Sequence, residues 1–145
     1  MDATSPHHRY GVHRRSRPGI AVPSPHRVNI SSGSVFETEV GYSRAVRVGP
    51  LVVVAGTTAA GDDLATQARE ALRRIEAALA EVGAALTDVV RTRMFVTDID
   101  RWREVAAVHA EVFAGVRPVA TMVEVSALIA PDLHVEIEVD AYVSD

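Results

Sequence analysis

The chain contains neither cysteine nor lysine. Without cysteine there can be no disulfide, no thiolate nucleophile and no thiolate-bound zinc. Without lysine no lysine Schiff base can form; all 15 basic residues are arginine. No apolar run approaches the ~20 residues that a membrane-spanning helix needs, and the N-terminus has no apolar stretch of the signal-peptide kind. A cytoplasmic location with no membrane partner is the resulting expectation. G-x-G-x-x-G, the P-loop and G-x-S-x-G are all missing. Thr57 and Thr58 follow a strand and could donate to a carboxylate, but no loop is glycine-rich enough to cradle a phosphate. His and Asp residues are not spaced as metal ligands, so neither metal nor cofactor is expected.

What remains is 145 residues with 48% apolar content, enough for one domain with a packed core. Charge is unevenly spread. Arg9, Arg14, Arg15, Arg17 and Arg27 face only Asp2 at the N-terminal end, so the rest of the chain is more acidic than the net −4 of the whole. An acidic body is a poor nucleic-acid binder; the basic end could add only weak, salt-sensitive contacts. Residues 1–27 are rich in Pro, Ser, His and Arg and read as a flexible arm, free to fold over a neighbouring subunit. His7, His8, His13 and His26 match no ligand motif. The globular unit is expected over 28–145.

Within it, Val40 to Val48 alternates and reads as a strand, followed by a turn at Gly49-Pro50. Leu51 to Ala55 is a continuous apolar run, expected to be a buried central strand ended by Gly56. Leu64, Ala68, Leu72, Ile75, Leu79 and Val82 recur at helical spacing, between Asp62 or Asp63 and Gly83. Val89 to Val96 is the next strand. Asp98 or Asp100 starts a second helix reaching about Ala114. Pro118 to Leu128 and Leu133 to Val143 are the last strands. In the final one Val135, Ile137, Val139 and Ala141 share a face opposite Glu136, Glu138 and Asp140. Two helices against one sheet make an α+β sandwich. The second face of that sheet needs cover, and a homo-oligomer is the simplest source.

Few polar residues interrupt these patterns. Glu136 is either a cleft carboxylate or part of a solvated strand face. Arg93 breaks an apolar strand; it is a candidate anion anchor, or an ion-pair partner of Glu124 or Glu136. Arg44, two residues after Tyr42, has the same two readings. His109 shares a helical face with Phe113 and is either a general acid/base near neutral pH or a half-buried, hydrogen-bonded histidine. With Glu136 it makes the candidate proton-transfer pair. His134 and Tyr142 read as edge residues.

The order of several segments resembles the Rid (RidA/YjgF-like) family. They are Gly41-Tyr42-Ser43-Arg44-Ala45-Val46, Ala55-Gly56-Thr57-Thr58, Gln67, Asp88-Val89-Val90-Arg91-Thr92, Met94-Phe95-Val96-Thr97-Asp98, Pro118 to Val125 and Glu136-Ile137-Glu138. The resemblance implies a chorismate-mutase-like two-layer sandwich: a mixed sheet with two helices on one face, assembled as a homotrimer with a small-molecule pocket at each subunit interface. It further implies Glu136 placing a water, Tyr42 lining the cleft, and backbone groups of Ala55, Gly56 and Thr57 holding the ligand. Deaminating members carry an arginine two residues after the proline; here that position is Ala120, next to Met122 on the same segment. A frequent asparagine of the second helix is replaced by Ala106. Some family members are described as translation inhibitors or nucleases. The expectation is an enzyme acting on an imine, enamine or related unsaturated carbonyl compound by water addition or proton transfer, and not a general 2-iminopropanoate deaminase. The alternative is a non-catalytic metabolite-binding or protein-interaction trimer.

Overall fold

Alternation in the last strand organises the molecule. The computed structural model describes residues 26–144. Its elements are β1 (Arg27–Ile30), α1 (Val35–Val40), β2 (Ala45–Val48), β3 (Leu51–Thr57), α2 (Leu64–Glu81), β4 (Val89–Val96), α3 (Trp102–Phe113), β5 (Val119–Glu124) and β6 (Val135–Tyr142). Short 3-10 turns lie at Leu86–Asp88 and Ile99–Arg101. The six strands form one mixed sheet in the order β1-β2-β3-β6-β4-β5, with β4 and β5 parallel and the other neighbours antiparallel. The expected arm lies outside the described residues except for His26 and Arg27, and Arg27 is already paired with Val48 in β1.

Val135, Ile137, Val139 and Ala141 of β6 are fully buried beneath the helices. The α2 stripe of Leu64, Ala68, Leu72, Ile75 and Leu79 packs on them, and Ala71 and Ala78 allow close approach. Burying each Leu or Ile contributes about 1.5–3 kcal/mol. Asp63 caps α2, its carboxylate accepting from Thr66 N at 2.7 Å. A buried amide ties this layer to the sheet. Gln67 Nε2 donates to Gly61 O (3.2 Å) and Asp132 O (2.8 Å), and its Oε1 accepts from His134 N at 2.9 Å. Gln67→Leu keeps the volume but strands these backbone groups, each costing about 1–3 kcal/mol if left dry. A stability loss of about 3 kcal/mol is expected in urea unfolding; a loss below about 1 kcal/mol would mean that water replaces the amide.

Three expectations need correction. Val40 to Val48 is not one strand: Val35–Val40 forms α1, capped by Ser34 Oγ accepting from Phe36 N, and the strand begins only at Ala45. Gly41, at φ 80°, ends α1 in the left-handed conformation that favours glycine. The Glu37 carboxylate holds the preceding loop, accepting from Ser31 Oγ, Ser32 Oγ and Ser32 N, and these bonds lower its pKa below the usual 4.5. Second, β3 runs past Gly56 to Thr57 through a bulge, since Val54 pairs with Val139 but Thr57 with Ile137. Third, β3 is interior to the sheet but buried on one face only. Val52 and Val54 lie under the helices, whereas Leu51 and Val53 are exposed. The two long helices, α2 and α3, sit on one side, and the other side carries exposed Leu51, Val53, Val119, Val123 and Tyr142.

Candidate functional site

The β3 bulge is the centre of the best-formed site. It turns the Ala55-Gly56 backbone toward β6, where Glu136 stands on the open face opposite the buried Val135 and Ile137. The carboxyl lies directly over Gly56: a Cβ built on that glycine would be 2.0 Å from Glu136 Oε1. Arg44, just before β2, clamps the bulge. Its Nη1 donates to Gly56 O (3.0 Å) and Thr57 Oγ1 (2.8 Å), with Ala55 O at 3.4 Å. Its Nη2 donates to Tyr42 Oη at 3.2 Å, and the guanidinium carbon lies 5.6 Å from the Tyr42 ring centre. Thr57 Oγ1 donates in turn to Ala55 O. The structure thus brings Tyr42, Arg44, Ala55, Gly56, Thr57 and Glu136 together.

Burial raises the Glu136 pKa above its ordinary 4.5; the Glu138 carboxylate raises it further and Arg44 opposes both. A half-buried carboxyl that has no hydrogen-bond partner among the described residues, and whose proton affinity is raised, is suited to proton transfer.

Arg93 lies on the same open face, but its charge is matched: Nη1 is 3.0 Å from Glu138 Oε1 and 3.4 Å from Asp140 Oδ2. These are neighbours across the β4–β6 ladder, not the Glu124 or Glu136 expected from sequence. Glu124 instead accepts from Ile99 N.

His109 is elsewhere. On α3, its Nε2 is 2.8 Å from Thr92 Oγ1 and its ring packs 4.8 Å from Phe113. Thr92 is buried on the helix side of β4. Desolvation lowers the His109 pKa below 6.5, so the imidazole is neutral at pH 7. Ala120 pairs with Thr92 and Met122 with Met94, which puts both on the helix side of β5. Ala106 lies one turn before His109 on α3. A surface pocket of about 440 Å³ opens beside His109, lined by Ala110, Phe113, Ala114, Arg117 and Pro118. His109 and Glu136 are therefore separated by the sheet and do not form a pair within one chain. No group of three or more His, Cys, Asp or Glu that could hold a metal occurs among the described residues.

Sequence reasoning gave Arg44 too little weight. Its position two residues after Tyr42 was visible, but its reach to the bulge depends on the β2–β3 register, which pairs Ala45 with Val54.

A two-layer α+β subunit with an uncovered sheet face and a carboxyl over a strand bulge defines the structural class. The profile of the family described as Endoribonuclease L-PSP matches residues 33–143; the chain belongs to this family, the YjgF/Rid family. Rv2704 of Mycobacterium tuberculosis, a member of the YjgF/YER057c/UK114 family, is 69% identical, with a TM-score of 0.81 over 81% of this chain and 100% of that one. The 2-iminobutanoate/2-iminopropanoate deaminase of Salmonella typhimurium is 30% identical over 67% of this chain and 83% of its own. TdcF of E. coli, solved with bound serine, is 25% identical, with a TM-score of 0.67 over 71% and 88%.

Proposed function

We propose that this protein is an enzyme of small unsaturated nitrogen or carbonyl compounds, an imine, enamine or related molecule, and that Glu136 is its proton-transferring group. The observation that carries the reading is the half-buried Glu136 carboxyl over Gly56, without a hydrogen-bond partner among the described residues and with Tyr42 and Arg44 beside it. In hydrolysis Glu136 takes a proton from water as the water oxygen bonds to the imine carbon; the C=N π pair moves to nitrogen, which takes that proton from Glu136. The hydroxyl proton of the resulting carbinolamine then passes through Glu136 to nitrogen as the O–H pair forms C=O and the C–N bond breaks, releasing carbonyl compound and ammonia. Tyr42 lines the cleft as a hydrogen-bond donor. The complete pocket forms between subunits of a homotrimer, in which the exposed apolar sheet face is covered by neighbouring copies.

The alanine at position 120 argues against efficient 2-iminopropanoate turnover. An arginine–carboxylate contact is charge-assisted and fixes geometry, and no such group is present on that strand.

Imines released from several amino acids by an amino-acid oxidase provide the test. Wild type should turn over at least one, with a rate that rises through a midpoint above 4.5 as Glu136 ionises. Glu136→Gln should lower kcat/KM by at least about 100-fold and lose that pH limb. Unchanged kinetics in the variant would remove Glu136 from the mechanism. Silence of wild type on every imine would favour the second reading, a metabolite-binding trimer, for which the methyl groups at Ala106 and Ala120 speak.

A further inference from the structure

Arg44 holds more donors than the bulge uses. A guanidinium has five N–H groups. Nη1 is taken up by Gly56 O and Thr57 Oγ1, and one Nη2 hydrogen by Tyr42 Oη. The other Nη2 hydrogen and Nε–H have no hydrogen-bond partner among the described residues, and there Arg44 makes no salt bridge. Arg93 and Arg91, on the same face, are matched by Glu138 and Asp140. Tyr42 Oη accepts from Arg44, so its own O–H is free to donate away from the guanidinium. Two kinds of donor thus belong to one hydrogen-bonded group at Gly56, and the Glu136 carboxyl stands over the same glycine. Donors fixed in advance beside a proton-accepting carboxyl are what an oxygen that gains negative charge requires.

We propose that Arg44 and Tyr42 form an oxyanion-binding corner, and that the cleft takes a small carbonyl compound with an acidic C–H beside its carbonyl, whose proton Glu136 exchanges. This rests on the reading of Glu136 as the proton-transferring group. In the step, the α-carbon proton passes to the Glu136 carboxylate. The C–H electron pair becomes the C=C bond, and the carbonyl π pair moves onto oxygen, where Arg44 N–H and Tyr42 O–H hold the enolate. Return of a proton from Glu136 to the same carbon regenerates the carbonyl compound. Nothing is oxidised or reduced, and no second reactant is consumed. Arg44 thereby supplies positive charge on the Glu136 side of the sheet, whereas position 120 lies on the helix side.

The test follows deuterium entry at the carbons beside the carbonyl of butanone, a ketone without a carboxylate, in D2O by proton NMR, using the full chain. Wild type should accelerate exchange over buffer, and Arg44→Gln should lose about 100-fold or more of that acceleration. Arg44→Lys should keep part of it. Tyr42→Phe removes one hydroxyl without disturbing the bulge, so a loss of about 10-fold there supports the corner even where Arg44→Gln folds poorly. A wild type no faster than buffer, or Arg44→Gln and Tyr42→Phe both exchanging at the wild-type rate, overturns the proposal. If Glu136→Gln also keeps the wild-type rate, the assignment of Glu136 falls with it; if Glu136→Gln alone is silent, only the oxyanion corner falls.

Discussion

Gly56→Ala is expected to cut kcat/KM by about 100-fold while leaving the fold as stable as wild type. The new Cβ would sit 2.0 Å from Glu136 Oε1, 3.0 Å from Cδ and 3.3 Å from Cγ. No real contact is that short, so one partner must move. The atoms struck are the far end of a flexible side chain, and a rotation about the Glu136 side-chain torsions relieves the overlap at little cost. Gly56 is not in the left-handed backbone region, so alanine brings no conformational strain; the reduced freedom of the unfolded chain favours it by about 0.4–1 kcal/mol. Stability and activity should therefore separate. A thermal melt at or slightly above that of wild type, paired with the kinetic loss, would show that the carboxyl acts from above the glycine. Wild-type kinetics in this variant would mean that the position of the carboxyl over Gly56 is incidental.

The same glycine shows why part of the fold was not legible. An apolar run ending in glycine reads as a strand and its stop, yet β3 continues to Thr57. Glycine within a strand also marks a bulge or a close approach, and only the partner, Glu136 of β6, tells these apart. α1 was missed for a different reason. Six residues are too few for periodicity to show, and the signals present, Ser34 as cap and Gly41 after the end, were outweighed by the alternation around Tyr42. By contrast α2 and β6 were plain: α2 is long, capped and striped, and β6 alternates without a break.

For the site, the parity of Glu136 was readable because every second residue of β6 is apolar. That observation already separates Glu136 from His109. The apolar face of β6 must meet the helices, so Glu136 points away from α3. The roles assigned to Ala55, Thr57, Ala106 and Met122 come from the family pattern, not from any local signal. The cations could not be assigned from sequence, because a charge on a strand says nothing of its neighbour across the ladder. Arg93 faces Glu138 in the β4–β6 register, which neutralises it, and Arg44 reaches carbonyls brought near by the β3 bulge.

Opposite faces also fix what should happen when an arginine is introduced at position 120. Ala120 is exposed on edge strand β5, on the helix side with Thr92, so a long side chain has room. Ala120→Arg should raise kcat/KM for 2-iminopropanoate about 10-fold or more, the equivalent of the 1.5–3 kcal/mol of a hydrogen bond to a charged group. A carboxylate held there cannot present its imine carbon to Glu136 of the same chain, because the sheet lies between them. In the proposed interfacial cleft it meets the Glu136 carboxyl of a second copy. The doubly substituted chain Ala120→Arg/Glu136→Gln should be inactive on this substrate. Co-refolded with wild type it should yield mixed oligomers more active than either parent, since one copy brings the anchor and the other the carboxyl. Activity in Ala120→Arg with no gain from mixing would mean that anchor and carboxyl meet within one chain by a rearrangement of β5, and the interfacial cleft would have to be abandoned. Gain on mixing would locate the two halves on different subunits and explain why neither half, taken alone, is a closed pocket.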